Sequence, residues 1–253
     1  MGDVILSGVA ATLVVRWSAY LTRLLRPYCA DVVQAPLLLA CETLATAGYL
    51  QHFPQQVLVT SNPDSPDGSS RCLTPAACFH VYPTLTGEVI EEDPWGVLIE
   101  AHCARHEGGG WSFPFRASSF QMLELVLCGS PDAVAATRDE VQRTLDDVLP
   151  GVGIEGTWMP ATDAFFLGND DGARLMQKLK GLKREYIVEC AGEPVALASI
   201  NSHEEYFGRC FEIRAAGSTA HSCCIAFGLE RLTACSLLRW GDDPADWPEE
   251  FRV

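Results

Sequence analysis

Two strand-forming runs, Trp95 to Cys103 and Phe120 to Val126, are joined through a glycine-rich turn, Gly108-Gly109-Gly110-Trp111. Runs so close along a chain pair antiparallel as a hairpin, and a hairpin needs neighbours to bury its apolar face. Further short β-like runs supply them: Cys78–Tyr82, Tyr186–Glu189, Val195–Ile200 and Phe211–Arg214, with the hairpin strands extending over Val97–Cys103 and Phe120–Cys128. Helical patterns cover residues 4–25, closed by Pro27, and 35–51, with Pro36 near the first turn and Gly48 near the end. Two more cover 131–149, with Ser130 as N-cap, and 228–238. Gln56 to Thr60 reads as a short strand and 61–71 as a turn-rich loop. Helices that do not alternate with the strands predict an α+β fold, an antiparallel sheet with helices packed on it. No repeat or long linker divides the chain, so residues 1–253 read as one domain.

Charge narrows the function. The chain carries 18 Lys plus Arg against 33 Asp plus Glu, a formal net charge of −15. A broad nucleic-acid face needs clustered cations, which this balance opposes. A small anionic ligand gripped by a few arginines remains open. The 11 cysteines are odd in number, irregularly spaced and without a CxxC pair. That argues against a disulfide framework and for a reduced, cytoplasmic compartment. The apolar stretch Val4 to Val15 is closed by Arg16, too short to span a bilayer, and no basic segment precedes it. The expectation is a soluble chain with no membrane partner.

Three groups of residues carry chemistry. In the hairpin, Arg105 and Glu107, then Arg116 and Glu124, place charges on one face by strand alternation; a solvated hairpin edge would do the same. Near the C-terminus, Cys223-Cys224-Ile225-Ala226-Phe227 runs through Gly228 into a helix with Arg231 in its first turn. Finally, Cys78, Glu124 and Cys224 each lie on or beside a predicted strand. A thiolate, a carboxylate and a second thiolate make a three-ligand zinc site with one open position. Buried free cysteines are also ordinary core residues. Alternation lets only one of Cys223 and Cys224 face such a site.

The Arg105-His106-Glu107 hairpin, followed about a hundred residues later by the Gly228-Leu229-Glu230-Arg231 helix, resembles the second and third signature motifs of the class II aminoacyl-tRNA synthetase core. Gly48-Tyr49-Leu50-Gln51-His52-Phe53-Pro54 resembles the first, which in that family forms the dimer interface. Within the class, Leu73-Thr74-Pro75-Ala76-Ala77-Cys78-Phe79-His80-Val81-Tyr82-Pro83, Ala198-Ser199-Ile200-Asn201-Ser202-His203 and Phe207-Gly208 are similar to segments of the amino acid:[carrier protein] ligases. These are truncated homologues of the atypical zinc-dependent seryl-tRNA synthetases. The resemblance covers roughly residues 45–240.

The resemblance implies a set of roles. Zinc is held by Cys78, Glu124 and Cys224, and takes the substrate amine. ATP, with Mg²⁺, lies on the sheet. Arg105 contacts the α-phosphate, Glu107 the adenine amino group, Arg116 the outer phosphates and Arg231 the γ-phosphate, so Arg105 and Arg231 carry catalysis. Glu189 and Asn201 are metal- or phosphate-side residues. A small amino acid becomes an aminoacyl-adenylate and passes to the phosphopantetheine thiol of a carrier protein, and the enzyme is a homodimer. The charge balance, and a length without room for a tRNA-binding arm, count against tRNA. Arg174, Lys178, Lys180, Lys183 and Arg184 gather five cations at helical spacing and are the expected carrier-protein docking surface, although a solvated helix face would look the same. The chain departs from the family at its short N-terminus, at Gln121 and Leu123 where further arginines are usual, and in the glycine-rich loop 108–112. A catalytically degenerate binding protein, or an aminoacyltransferase acting on tRNA or a small amine, would share these motifs.

Overall fold

The computed structural model describes residues 5–61, 71–106, 115–161 and 181–252. Seven strands form the central sheet: β1 (Asp31–Gln34), β2 (Trp95–Ala104), β3 (Ser119–Gly129), β4 (Thr157–Pro160), β5 (Lys183–Cys190), β6 (Glu193–Glu204) and β7 (His221–Gly228). Their spatial order is β1-β2-β3-β7-β6-β5-β4. The predicted hairpin is β2–β3, in register from Trp95 opposite Cys128 to Ala104 opposite Ser119. All but one of the pairings are antiparallel; β1 lies parallel to β2 along one edge. The sheet is therefore mixed, where the sequence predicted it antiparallel throughout. Six α-helices accompany it among the described residues: α1 (Val9–Leu25), α2 (Cys41–Thr46), α3 (Tyr49–His52), α4 (Pro131–Gly151), α5 (Tyr206–Cys210) and α6 (Leu229–Trp240).

Each face of the sheet has its own core. On one, α1, α4 and α6 cover Leu98, Leu123, Leu125, Leu127, Cys223, Ile225 and Phe227, with Trp17, Leu145 and Leu232 among the helical partners. Trp17 donates from Nε1 to Ser236 Oγ at 2.9 Å, satisfying two polar atoms inside that layer. On the other face, short elements pack Phe79, Tyr82 and Phe207 over Val97, Ile99, Val126 and Cys224.

Several sequence expectations are corrected, each by a long-range partner. Residues 35–51 are not one helix: Leu38–Ala40 forms a strand against Arg71–Leu73, and α2 starts only at Cys41. Cys78–Tyr82 is not a strand but part of two 3₁₀ turns, Ala77–His80 and Tyr82–Leu85. Phe211–Arg214 shrinks to a two-residue strand, Arg214–Ala215, because Glu212 sits at φ 57° after α5. Ser130 occupies the N-cap position of α4 without a side-chain cap; its backbone N–H donates to Asp93 Oδ1 at 2.7 Å. Cys190 and Cys235 are disulfide-bonded, tying the end of β5 to α6, while the other nine cysteines are free. One bridge is no framework, yet it departs from the fully reduced reading. Among the described residues no helix is long and apolar enough to cross a membrane.

Candidate metal and nucleotide site

The hairpin fixes the first ligand position by alternation. Along β3, Leu123 and Leu125 turn to the helices, so Glu124 between them turns to the opposite face, 1% exposed. Both its oxygens accept backbone N–H groups, from Ala77 at 2.9 Å and Cys78 at 3.3 Å. These bonds draw residues 77–80 into a 3₁₀ turn and set Cys78 beside the carboxylate. β7 pairs with β3 so that Ala226 lies opposite Glu124. Two residues earlier Cys224 emerges on the same face, while Cys223 points into the helix-side core. One ligand atom from each of Cys78, Glu124 and Cys224 lies within 4.8 Å of the others, and all three residues are buried. The structure thus separates the two adjacent cysteines that the sequence left ambiguous.

Burial and close neighbours push two of these acids toward their protonated forms. The Cys78 thiol is pushed up by its hydrogen bond with Cys224, by burial and by the negative neighbours. Burial raises Glu124 against the lowering pull of its backbone donors and Arg105. A cation at the shared centre would reverse this, since coordination stabilises the thiolate and carboxylate forms. The donor set, two sulfurs and one carboxylate oxygen, fits zinc. Asn201 stands opposite Cys224 in the β6–β7 register. Its Nδ2 donates to Ser199 Oγ at 3.0 Å and to Cys224 Sγ at 3.5 Å. Its Oδ1 is buried with no hydrogen-bond partner.

A cavity opens from this cluster along the sheet. Arg105, Arg116, Lys183, Glu185, Glu230 and Arg231 line it, together with the three candidate ligands and Asn201. Arg105 donates from Nε to Pro75 O at 2.7 Å, and its guanidinium carbon sits 4.9 Å from the centroid of the Phe120 ring. Arg231 enters from the first turn of α6, donating to Phe115 O at 2.7 Å and Ala196 O at 3.0 Å. Such backbone clamps fix two guanidinium groups with the helix N-terminus beside them, an arrangement suited to a polyphosphate.

Other expected site residues fall elsewhere. Glu107 and the 108–112 loop lie outside the described residues, as do Arg174, Lys178 and Lys180. Lys183 and Arg184 belong to strand β5, not to a helix, so alternation sends them to opposite faces. Lys183 lines the cavity and pairs with Glu185 at 3.1 Å; Arg184 donates to Gln142 of α4 at 2.7 Å. The five-cation helical face therefore does not extend to these two. Glu189 is exposed, opposite Pro194, about 20 Å along β5 from Lys183 at strand rise. It does not line the cavity; Glu185, opposite Ser199, is the β5 carboxylate that does. Gln121 and Leu123 belong to the helix-facing set of β3, so an arginine at Leu123 would enter the apolar core.

The sequence reading also missed Glu230 and His203. Glu230 accepts the Gln121 N–H on both oxygens at 2.9 Å, and burial raises its carboxyl. His203 is buried behind Cys224, and desolvation lowers its imidazole to about 3. Their signals were positional, Glu230 next to Arg231 and His203 two residues beyond Asn201.

No protein-family model matches the chain. Over 184 residues it is 33% identical to amino acid–[acyl-carrier-protein] ligase 2 of Bradyrhizobium diazoefficiens, covering 71% of this chain and 54% of that protein. It is 28% identical over 184 residues to the type-2 serine–tRNA ligase of Methanocaldococcus jannaschii, 69% of this chain and 35% of that one. Among solved structures, M. kandleri SerRS in complex with A. aeolicus tRNASec superposes with a TM-score of 0.82 at 19% identity, covering 99% of this chain and 56% of that chain. The chain thus spans about half the length of the ligase it matches. Its fold is that of a class II aminoacyl-tRNA synthetase catalytic core, as the motifs implied.

Proposed function

Starting from a chain related to the amino acid–[acyl-carrier-protein] ligases, we propose that it is an ATP-dependent ligase. It activates a small amino acid as the aminoacyl-adenylate and passes it to the phosphopantetheine thiol of a carrier protein. The observation that carries this reading is the buried Cys78–Glu124–Cys224 cluster opening into a cavity lined by Arg105, Arg116 and Arg231.

Cys78, Glu124 and Cys224 would hold zinc, which when bound offers a Lewis-acid position for the substrate amine. Asn201 Oδ1, buried without a hydrogen-bond partner, would accept an N–H of that amine. The amino-acid carboxylate attacks the α-phosphorus of ATP, and pyrophosphate leaves. Arg105 stabilises charge developing on the α-phosphate, while Arg116 and Arg231 bind the outer phosphates. Mg²⁺ accompanies the nucleotide. In the second step the carrier thiol attacks the acyl carbon, and AMP leaves as the thioester forms. The 48–54 segment forms a homodimer interface. The adjacent Leu37, Leu38 and Val59 are exposed, which supports an apolar contact there.

The test is amino-acid-dependent exchange of pyrophosphate into ATP, followed by mass measurement of a phosphopantetheinylated carrier protein and a tRNA acylation assay. Exchange with carrier loading supports the reading. Exchange with tRNA loading alone assigns the chain to the chemistry of its serine–tRNA relatives, and no exchange with any small amino acid leaves a binding protein. Metal analysis should find zinc in the parent and lose it in Cys78→Ala.

A further inference from the structure

We infer that His203 is a positioning residue for the metal site, donating its Nε2–H to the Cys224 sulfur. This rests on the metal reading above and adds a residue to it. His203 is 7% exposed, near the end of β6. There the strand breaks register with β7: Ser202 pairs with Cys223, but Glu204, not His203, pairs with Ser222. The extra residue is His203, and Glu204 beyond it stands at φ 50°. A bulge of this kind re-aims a side chain. Here it brings Nε2 to 3.8 Å from Cys224 Sγ, where Asn201 Nδ2 already approaches at 3.5 Å.

The surroundings choose the tautomer. Nδ1 lies 3.1 Å from Ser222 Oγ and 3.3 Å from Tyr82 Oη, both hydroxyls able to donate. A neutral imidazole carries one N–H. A metal-bound Cys224 is a thiolate and has no proton to give. The only hydrogen bond that His203 and Cys224 can then share runs from Nε2–H to sulfur, which leaves Nδ1 as an acceptor for the hydroxyls. Edge-to-face aromatic packing holds the ring: its centroid is 4.8 Å from that of Phe207 and 6.2 Å from that of Tyr82. Cys224 thus receives side-chain N–H groups from both Asn201 and His203. Such donors orient a ligand and offset part of its charge.

The full-length, metal-loaded protein provides the test, read by zinc competition against a chromophoric chelator and by the thiolate-to-Co²⁺ charge-transfer band of the cobalt form. His203→Phe, which keeps the ring and removes the donor, should weaken zinc binding roughly 10–100-fold and shift the band. His203→Gln, which restores an N–H near the Nε2 position, should recover most of both. ¹⁵N spectra of the zinc-loaded parent, assigned by loss of one histidine in His203→Gln, should show a neutral ring protonated at Nε2; this holds even if the Phe variant fails to fold. A folded Phe variant with unchanged affinity and band, or an Nδ1-protonated ring, overturns the inference while leaving the metal site standing. A parent that binds neither zinc nor Co²⁺ through thiolates overturns both.

Discussion

The two faces of the central sheet are built from alternate residues of the same strands, yet they obey different rules. Leu123, Leu125 and Leu127 of β3, with Cys223, Ile225 and Phe227 of β7, meet the helices as an apolar layer that only has to fill volume. The residues between them, Glu124, Cys224 and Ala226, face a cavity shared with basic side chains. That side buries a carboxyl, two thiols and a carboxamide oxygen without a partner. Both faces bury an apolar core, but this one also places among its core residues polar groups suited to a ligand.

Adjacent cysteines give the sharpest way to break this comparison. Cys224→Ser should abolish zinc retention and lower amino-acid-dependent pyrophosphate exchange by about 10³-fold or more, since removing one group of a unit disables the whole. Cys223→Ser puts a hydroxyl opposite Leu127, in the helix-side core. It should cost about 1–3 kcal/mol, or several degrees in Tm, while exchange per folded molecule and zinc content persist. Measuring Tm, zinc stoichiometry and exchange on both variants decides the matter. A swapped pattern would assign the faces the other way.

A purely helix-side change should move only stability. Leu125 is fully buried between the sheet and its helices. Leu125→Ala should cost about 2–5 kcal/mol through lost transfer energy and the cavity left behind. Denaturant unfolding of the metal-free chain would read this, with the cobalt band of the surviving folded protein unchanged. A shifted band at full folding would mean that the two faces are mechanically coupled through β3.

The legibility of the two faces differs for the same reason. Period-two alternation made the β2–β3 hairpin and the Glu124 position readable, because strand geometry is local. The order of the motifs made Cys78 and Cys224 readable as partners. What stayed hidden depended on contacts far along the chain. Cys78 lies on a turn because the Glu124 carboxylate, 46 residues away, binds its N–H. Glu185 displaces Glu189 from the site because the β5–β6 register puts it opposite Ser199, and pairing register is set by the partner strand. Lys183 and Arg184 separate to opposite faces because β5 is extended, where charge spacing alone suggested a helix. The Cys190–Cys235 bridge joins residues 45 apart, a pairing that no spacing rule selects from 11 cysteines.

The smallest predicted effect concerns the boundary between the faces. Glu230 sits in the first turn of α6, with its carboxylate turned back onto the Gln121 N–H and into the cavity wall. Burial raises its folded value above the ordinary 4.5, so folding favours the protonated form. The stabilising contribution is fully present below 4.5 and is lost as pH rises through the raised folded value. Glu230→Gln removes that titration. The variant should therefore gain on the parent in Tm as pH rises through that window, by no more than a few degrees, with a constant difference below it. Thermal melts of both proteins at closely spaced pH values would show this. A gap that instead closes in the parent's favour as pH rises would mean that a cation in the cavity holds Glu230 ionised. The first turn of α6 would then belong electrostatically to the site rather than to the wall between the two faces.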